Sequence, residues 1–243
     1  MTAFNDSLYQ DFVNRDELQL YNELYSTYDE LIARKVTRIA YPEDARTSSK
    51  SRVRFNCRVC QQALLHRALY LFEGSLNALS NENAYALVLC VRGHYEGTAT
   101  LGYQHKRITS YIEEGITLDD FDQDVYRQIL GSKHETLPQA PDPKNIMTQL
   151  DYADRIVHRV ILQSEGSHKK ILRECYEFLS EFCHPNFHSY SLAFQVDKTT
   201  DSFVFRYDHP LKKEEFTLIG YLSISNVIFV QLFDSFGHCI EEI

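Results

Sequence analysis

The chain has no excess of positive charge. Its 25 lysines and arginines are outnumbered by 34 aspartates and glutamates, giving a formal net charge of −9. That balance excludes wholesale wrapping of nucleic acid and leaves room only for a local basic patch. The 6 cysteines lack short regular spacings. This excludes a disulfide framework and makes a reducing cytoplasm the simplest compartment. The opening stretch "MTAFNDSLYQDF" has no basic segment leading into an apolar core, so no secretory signal is expected. Internal repeats and low-complexity tracts are missing, which removes repeat architectures. The G-x-S-x-G elbow, the P-loop, the dinucleotide fingerprint and the H-E-x-x-H helix are missing too. With none of these ready-made sites, no cofactor is expected.

Long uncharged runs are also scarce. One exists, "FTLIGYLSISNVIFVQLF" over 216–233, flanked by Lys212 and Lys213. Its length is that of a membrane span. Thr217, Ser223, Ser225, Asn226 and Gln231 dilute it, and no other segment matches it, so a buried core helix is expected and no membrane partner.

What is present is ordinary globular material, 44% hydrophobic and 24% charged, in a chain long enough for one large domain. Apolar residues recur at helical spacing from Phe4 to Ile39 (Leu20, Leu24, Tyr28, Leu31, Ile32, Val36), as in one long helix or two short ones. Residues 40–52 read as a loop. A helix follows over 53–79, and a third over 83–112 with Ser80 or Asn81 as its N-cap. Shorter helices are expected over 118–131 and 146–163, separated by the loop 132–145. Gly166 and Ser167 introduce the most regular helix, with Ile171, Leu172, Cys175, Phe178, Leu179, Phe182 and Cys183 on its stripe. Pro185 stops it. "SLAFQV" and "SFVFRY" alternate around "DKTTD" and predict a β-hairpin within 190–208. A last helix covers 213–236. The fold class expected is all-α: an antiparallel helical bundle with one β-hairpin inserted before the C-terminal helix. It would form one domain over 1–243, with its core over 53–236 and 1–45 as an N-terminal helical appendage.

Two polar stretches stand out. In "RGHYEG", directly after "AYALVLCV", Arg92 and Glu96 share a helix face. Arginine before glutamate is the weaker order for an exposed helix, and Gly93 and Gly97 each cost about 1 kcal/mol relative to alanine. A helix or ligand pressed against that face would compensate. The pair is either a buried structural ion pair or a ligand-contacting site. In "FLSEFCHPN", His184 ends its helix, where the helix dipole favours a protonated imidazole. Ser180 lies one turn before it and Asn186 just after. His184 is either a cap for its own helix or a site residue.

Arg92 and Glu96, followed by Tyr176, Leu179, Ser180, His184 and Pro185, form an R-x-x-x-E element and a Y-x-x-L-S-x-x-x-H-P element. In this order they resemble an uncharacterised family of bacterial helical proteins over roughly residues 55–235. Such proteins are similar to the HEPN-type bundles of prokaryotic toxin and phage-defence systems, a fold-level analogy. The resemblance implies RNA or another phosphate-bearing ligand as a partner. Catalytic HEPN ribonucleases carry an arginine followed by histidine about four to six residues later, a turn to a turn and a half of helix. That spacing is absent here: Arg92 sits too near His94 and too far from His105, and Arg155 too near His158.

Two functions follow. In the first, a non-catalytic binding or regulatory module holds an anion on Arg92, oriented by Glu96, with His94, Ser180, His184 and Asn186 around it. In the second, a metal-independent ribonuclease or phosphodiesterase uses His184 as general acid–base, with Arg92 stabilising phosphate charge and Glu96 beside them. A third role, in which the polar cluster only specifies the fold and an oligomer surface carries the function, stays open. Tyr9, Tyr21, Tyr25 and Tyr28 would suit a homo-oligomer interface or core packing alike. Cys57 and Cys60 with Cys183, His184 and His188 could complete a zinc set, yet without a second C-x-x-C packing is preferred and no metal is expected. Arg46, Lys50, Arg52, Arg54 and Arg58, near Phe55, could contact phosphates or simply be solvated.

Overall fold

The computed structural model describes residues 4–134, 136–137, 139–163, 169–207 and 210–243. The N-terminal segment forms two helices rather than one, α1 (Asp6–Asn14) and α2 (Leu18–Ala33). Asp16 between them adopts φ 60°, a left-handed conformation that no α-helix continues through. Expected as an appendage, this segment buries Leu8, Phe12, Leu24 and Leu31 completely in the common core. Of its tyrosines, Tyr21 and Tyr28 pack inward, Tyr28 stacking on Phe72, while Tyr9 and Tyr25 stay exposed.

After a single 3-10 turn (Glu43–Arg46), α3 runs from Ser49 to Ser80. It starts four residues earlier than the apolar pattern predicts. Ser48 is the reason: its Oγ accepts from the Ser51 amide at 3.3 Å, satisfying one of the free donors of the first turn. Neither Ser80 nor Asn81 caps the next helix. Ser80 belongs to α3, Asn81 donates back to the Asn77 carbonyl at 2.7 Å, and Asn83 caps α4 (Ala84–Ile112) by accepting from Ala86 N at 3.0 Å. α5 (Leu118–Leu130) begins with a capping box of Thr117 and Asp120. α6 (Ile146–Ile156) ends in one π-helical turn, Val157–Ile161.

α7 covers Ile171–Cys183; Gly166 and Ser167, read as introducing it, lie outside the described residues. Next comes a short helix that the alternating pattern hid, α8 (Phe187–Ser191), capped by Asn186 accepting from Ser189 N at 3.1 Å. The hairpin is therefore shorter than expected. Its strands β1 (Phe194–Asp197) and β2 (Ser202–Phe205) pair antiparallel, Phe194 opposite Phe205 and Asp197 opposite Ser202. One turn, α9 (Lys213–Phe216), leads into α10 (Leu218–Glu242). The architecture is thus an all-α bundle with a two-stranded hairpin before the C-terminal helix.

α4 is the central helix, with α3, α6, α7 and α10 packed around it. Enclosure on several sides explains why its polar residues His94, Thr98, Gln104 and His105 are buried along with its apolar ones. The membrane-length apolar stretch is α10. Although long and apolar enough to cross a membrane, 67% of its most apolar window is buried in the bundle, chiefly against α4, α2 and α3.

The glycines of α4 divide in a way the sequence did not reveal. A Cβ added at Gly93 would meet Leu71 at 3.3 Å, one at Gly97 would meet nothing within 4 Å, and one at Gly102 would lie 2.5 Å from Ala153 Cβ. The close helix approach is therefore at Gly102, where α6 crosses, and not at Gly97. Gly97→Ala is expected to stabilise by up to about 1 kcal/mol through helix propensity. Gly102→Ala is expected to lose about 1–3 kcal/mol by forcing α4 and α6 apart. Denaturant titrations of the two variants check this, and shifts of the same sign would contradict the α4–α6 contact.

Candidate functional site

Arg92 and Glu96 do pair on α4, with Nη1 3.1 Å from Oε1. The guanidinium also reaches α7: Nε donates to Ser180 Oγ at 3.0 Å, and Nη2 donates to the Tyr176 hydroxyl. The Tyr176 ring lies against it, 4.7 Å from centroid to Cζ. The second Glu96 oxygen takes Arg67 Nη2 from α3 at 3.3 Å. Tyr176 and Ser180 have the same one-turn spacing on α7 that Arg92 and Glu96 have on α4, so the two pairs stack as facing rungs. Burial raises the Tyr176 phenol above its ordinary value, with the Arg92 charge opposing the shift; the phenol stays neutral and its oxygen accepts. Every nitrogen of the Arg92 guanidinium thus has a partner within the protein. The cluster clamps α3, α4 and α7 together.

The other three residues singled out in the sequence do not join it. His184 ends α7 with an extended backbone, φ −105° and ψ 148°. Its side chain is exposed and shares no hydrogen bond or ion pair with Arg92 or Glu96. Nor does it bond its own helix, as a capping histidine would. Asn186 caps α8 and donates to Glu181 Oε2 at 3.0 Å. His94 lies two residues beyond Arg92, about 200° around the helix, and faces α10. There it is fully buried, Nδ1 2.9 Å from Ser225 Oγ and its ring edge-to-face with Phe229. Burial pushes its pKa down to about 3.

The cationic run from Arg46 to Arg58 is largely answered by the chain itself. Arg52 pairs with Asp122 at 3.1 Å, Arg58 with Glu241 at 2.6 Å, and Arg54 donates to the Glu241 carbonyl at 3.4 Å. Phe55 packs edge-on against Tyr41. Cys57 and Cys60 are buried, and burial raises both thiols, Cys60 to about 12. Among the described residues, no three His, Cys, Asp or Glu side chains converge as metal ligands would.

A more open site lies where α7, α8 and the start of α10 meet, around a cavity of about 380 Å³. The rings of Phe178 and Tyr221 run nearly parallel there, 25° apart with centroids at 5.4 Å. Phe182 stands across Phe178 at 75° and 5.2 Å, and His188 adds a fourth ring 5.5 Å from Phe182. Lys212, Glu214 and Glu215 also line the cavity. Glu215 is buried and fully engaged: its carboxylate takes both terminal nitrogens of Arg206 and the Lys212 amide at 2.8 Å. That bidentate pair fixes the hairpin to α9. A second cavity of about 410 Å³ shares Leu192 and Glu215 with the first.

No protein-family model, curated protein or solved structure matches this chain. Its site must be read from its own geometry.

The helical spacing places Phe178 and Phe182 on the apolar stripe of α7, and Tyr221 falls in the apolar run 216–233 expected as a core helix. In the structure Phe178 is 40% exposed. The signal that could have found it is the width of the α7 stripe: Phe178 and Phe182 sit at one margin, Leu172 and Leu179 at the centre. A helix covered on one side leaves a margin for the solvent or a ligand.

Proposed function

We propose that this protein is a non-catalytic ligand-binding module, with its binding end at the junction of α7, α8 and α10. The observation that carries this is the ring-lined cavity: parallel Phe178 and Tyr221 rings beside charged groups, within the volume range of ligand sites, about 300–1,000 Å³. The Arg92 cluster supports the same view from the other side, because its donors are consumed in joining helices. A ribonuclease would require an imidazole working beside that guanidinium, and His184 shares no hydrogen bond or ion pair with it.

Arg92→Ala separates the two sites. It is expected to remove about 2 kcal/mol of stability through lost charge-assisted hydrogen bonds, lowering Tm by roughly 4–8 °C. Binding at the cavity should be unchanged. A fragment set of aromatic amines, acids and amides, followed by protein-observed NMR, should shift the Phe178 and Tyr221 resonances saturably, and Phe178→Ala should abolish this. Fragments gathering only around Arg92, or cleavage of mixed RNA that disappears in both His184→Ala and Arg92→Ala, would overturn the proposal.

A further inference from the structure

We infer that the α7–α8–α10 cavity takes a free aromatic amino acid, or a zwitterion of the same pattern: a flat ring system carrying an ammonium and a carboxylate on a short tail. The inference rests on the reading of this cavity as the binding end. The cavity volume, about 380 Å³, is near the lower limit for ligand sites, which suits one ring system with a short polar tail better than a nucleotide. The stacked Phe178 and Tyr221 pair, with Phe182 set across it, provides an aromatic wall in two planes. Aromatic ligands meet such walls by offset or edge contacts.

The charges decide the rest. Glu215 is neutralised by Arg206, with which it forms a buried bidentate pair. Lys212 Nζ is 3.9 Å from Glu215, at the outer limit of an ion pair, and that carboxylate is already taken by both terminal nitrogens of Arg206. The Glu214 carboxylate has no hydrogen-bond or ion-pair partner among the described residues, and its backbone carbonyl alone is used, by Thr217 Oγ1 at 2.6 Å. Among the described residues the cavity therefore offers a loosely held cation, Lys212, and an unpaired anion, Glu214, two residues apart beside an aromatic wall. A purely cationic ligand would be opposed by Lys212 and a purely anionic one by Glu214. A zwitterion satisfies both.

The chain contains no tryptophan, so indole fluorescence reports a bound probe without background. The test titrates the full chain into L-tryptophan, tryptamine (no carboxylate) and indole-3-propionate (no ammonium), reading fluorescence anisotropy. L-tryptophan is expected to bind saturably, with each truncated analogue about two- to fivefold weaker, the range for one partly exposed charge contact. Lys212→Met should weaken L-tryptophan while leaving tryptamine no weaker, because the charge that opposes its ammonium is gone. Glu214→Gln should do the same relative to indole-3-propionate. If either analogue binds the unmodified protein as tightly as L-tryptophan, the zwitterion inference is overturned while the binding-end reading stands. If no indole compound binds saturably, the inference fails outright, and the fragment experiment decides separately whether the cavity binds anything.

Discussion

Lowering the pH from about 6.5 to about 4 should remove several kcal/mol of stability from this protein, enough to unfold a domain of ordinary marginal stability. The cause is two buried histidines. Burial lowers the pKa of His94 to about 3 and that of His105 to about 4, against about 6.5 in an unfolded chain. The sign follows from proton counting. Between those values the unfolded chain binds protons that the folded one refuses, so stability falls as pH falls, starting near the unfolded value. Each histidine contributes a slope of up to about 1.4 kcal/mol per pH unit, and together they give roughly 2–3 while both are in their window. Asp154 works in the opposite direction near the bottom of that range. Burial raises its pKa despite the bonds it accepts from Leu172 N and Arg173 N, so its protonation is easier in the fold and offsets part of the loss.

Urea midpoints at pH 7, 6, 5 and 4.5 measure the slope. The double variant His94→Gln, His105→Gln should flatten it, whatever its absolute stability. Equal midpoints at pH 7 and pH 5 for the unmodified protein would show that neither imidazole is held neutral by its surroundings. His94 matters most here because it is fully enclosed between α4 and α10. Protonating it means either placing a charge among Ser225, Thr98 and Phe229 or parting α4 from α10.

Asp124→Ala should cost about 3–5 kcal/mol, the usual penalty for removing one member of a buried charge network. For a chain of this length that lowers Tm by roughly 6–20 °C. Asp124 is 5% exposed and gathers three donors from different parts of the chain. Tyr103 Oη donates at 3.1 Å, Arg107 donates through Nε, and Lys144 Nζ lies at 3.2 Å. α4, α5 and the segment entering α6 are thereby tied at one carboxylate. Lys144 holds the next link as well, its carbonyl accepting from Gln149 Nε2 at 3.0 Å. Removing the carboxylate leaves two cations facing each other with their anion gone. Asp124→Asn keeps an acceptor for Tyr103 but not the charge, and should fall between the wild type and the alanine variant. A loss below about 1 kcal/mol on Asp124→Ala would place the pair in the class of surface ion pairs and contradict the enclosure described.

Asp124 shows where sequence reading stops. It lies in "LDDFDQD", where four acids occupy one short helix and nothing local distinguishes the buried one. Its donors are 17 to 21 positions away in one direction and in a loop in the other. Arg92 is the complementary case. Its spacing to Glu96 on one helix was legible, and so was Ser180 as a polar residue on α7, but the hydrogen bond joining them spans 88 positions. Only packing could turn an apparent anion site into a clamp. The same holds for His184, whose expected meeting with the pair depended on a turn that instead feeds α8.

The sequence by itself determined the longer helices from α3 onward, the hairpin, their order and the burial of the long apolar segment near the C-terminus. These follow from periodicity, capping residues and proline, which act within one or two turns of chain. The tertiary structure alone decided that Gly102 and not Gly97 takes the close crossing, that Arg92 is spent internally, and that Phe178 faces a cavity beside Tyr221. Those outcomes depend on which helix lies opposite which, and a residue's periodicity fixes the direction of its side chain without naming what waits there.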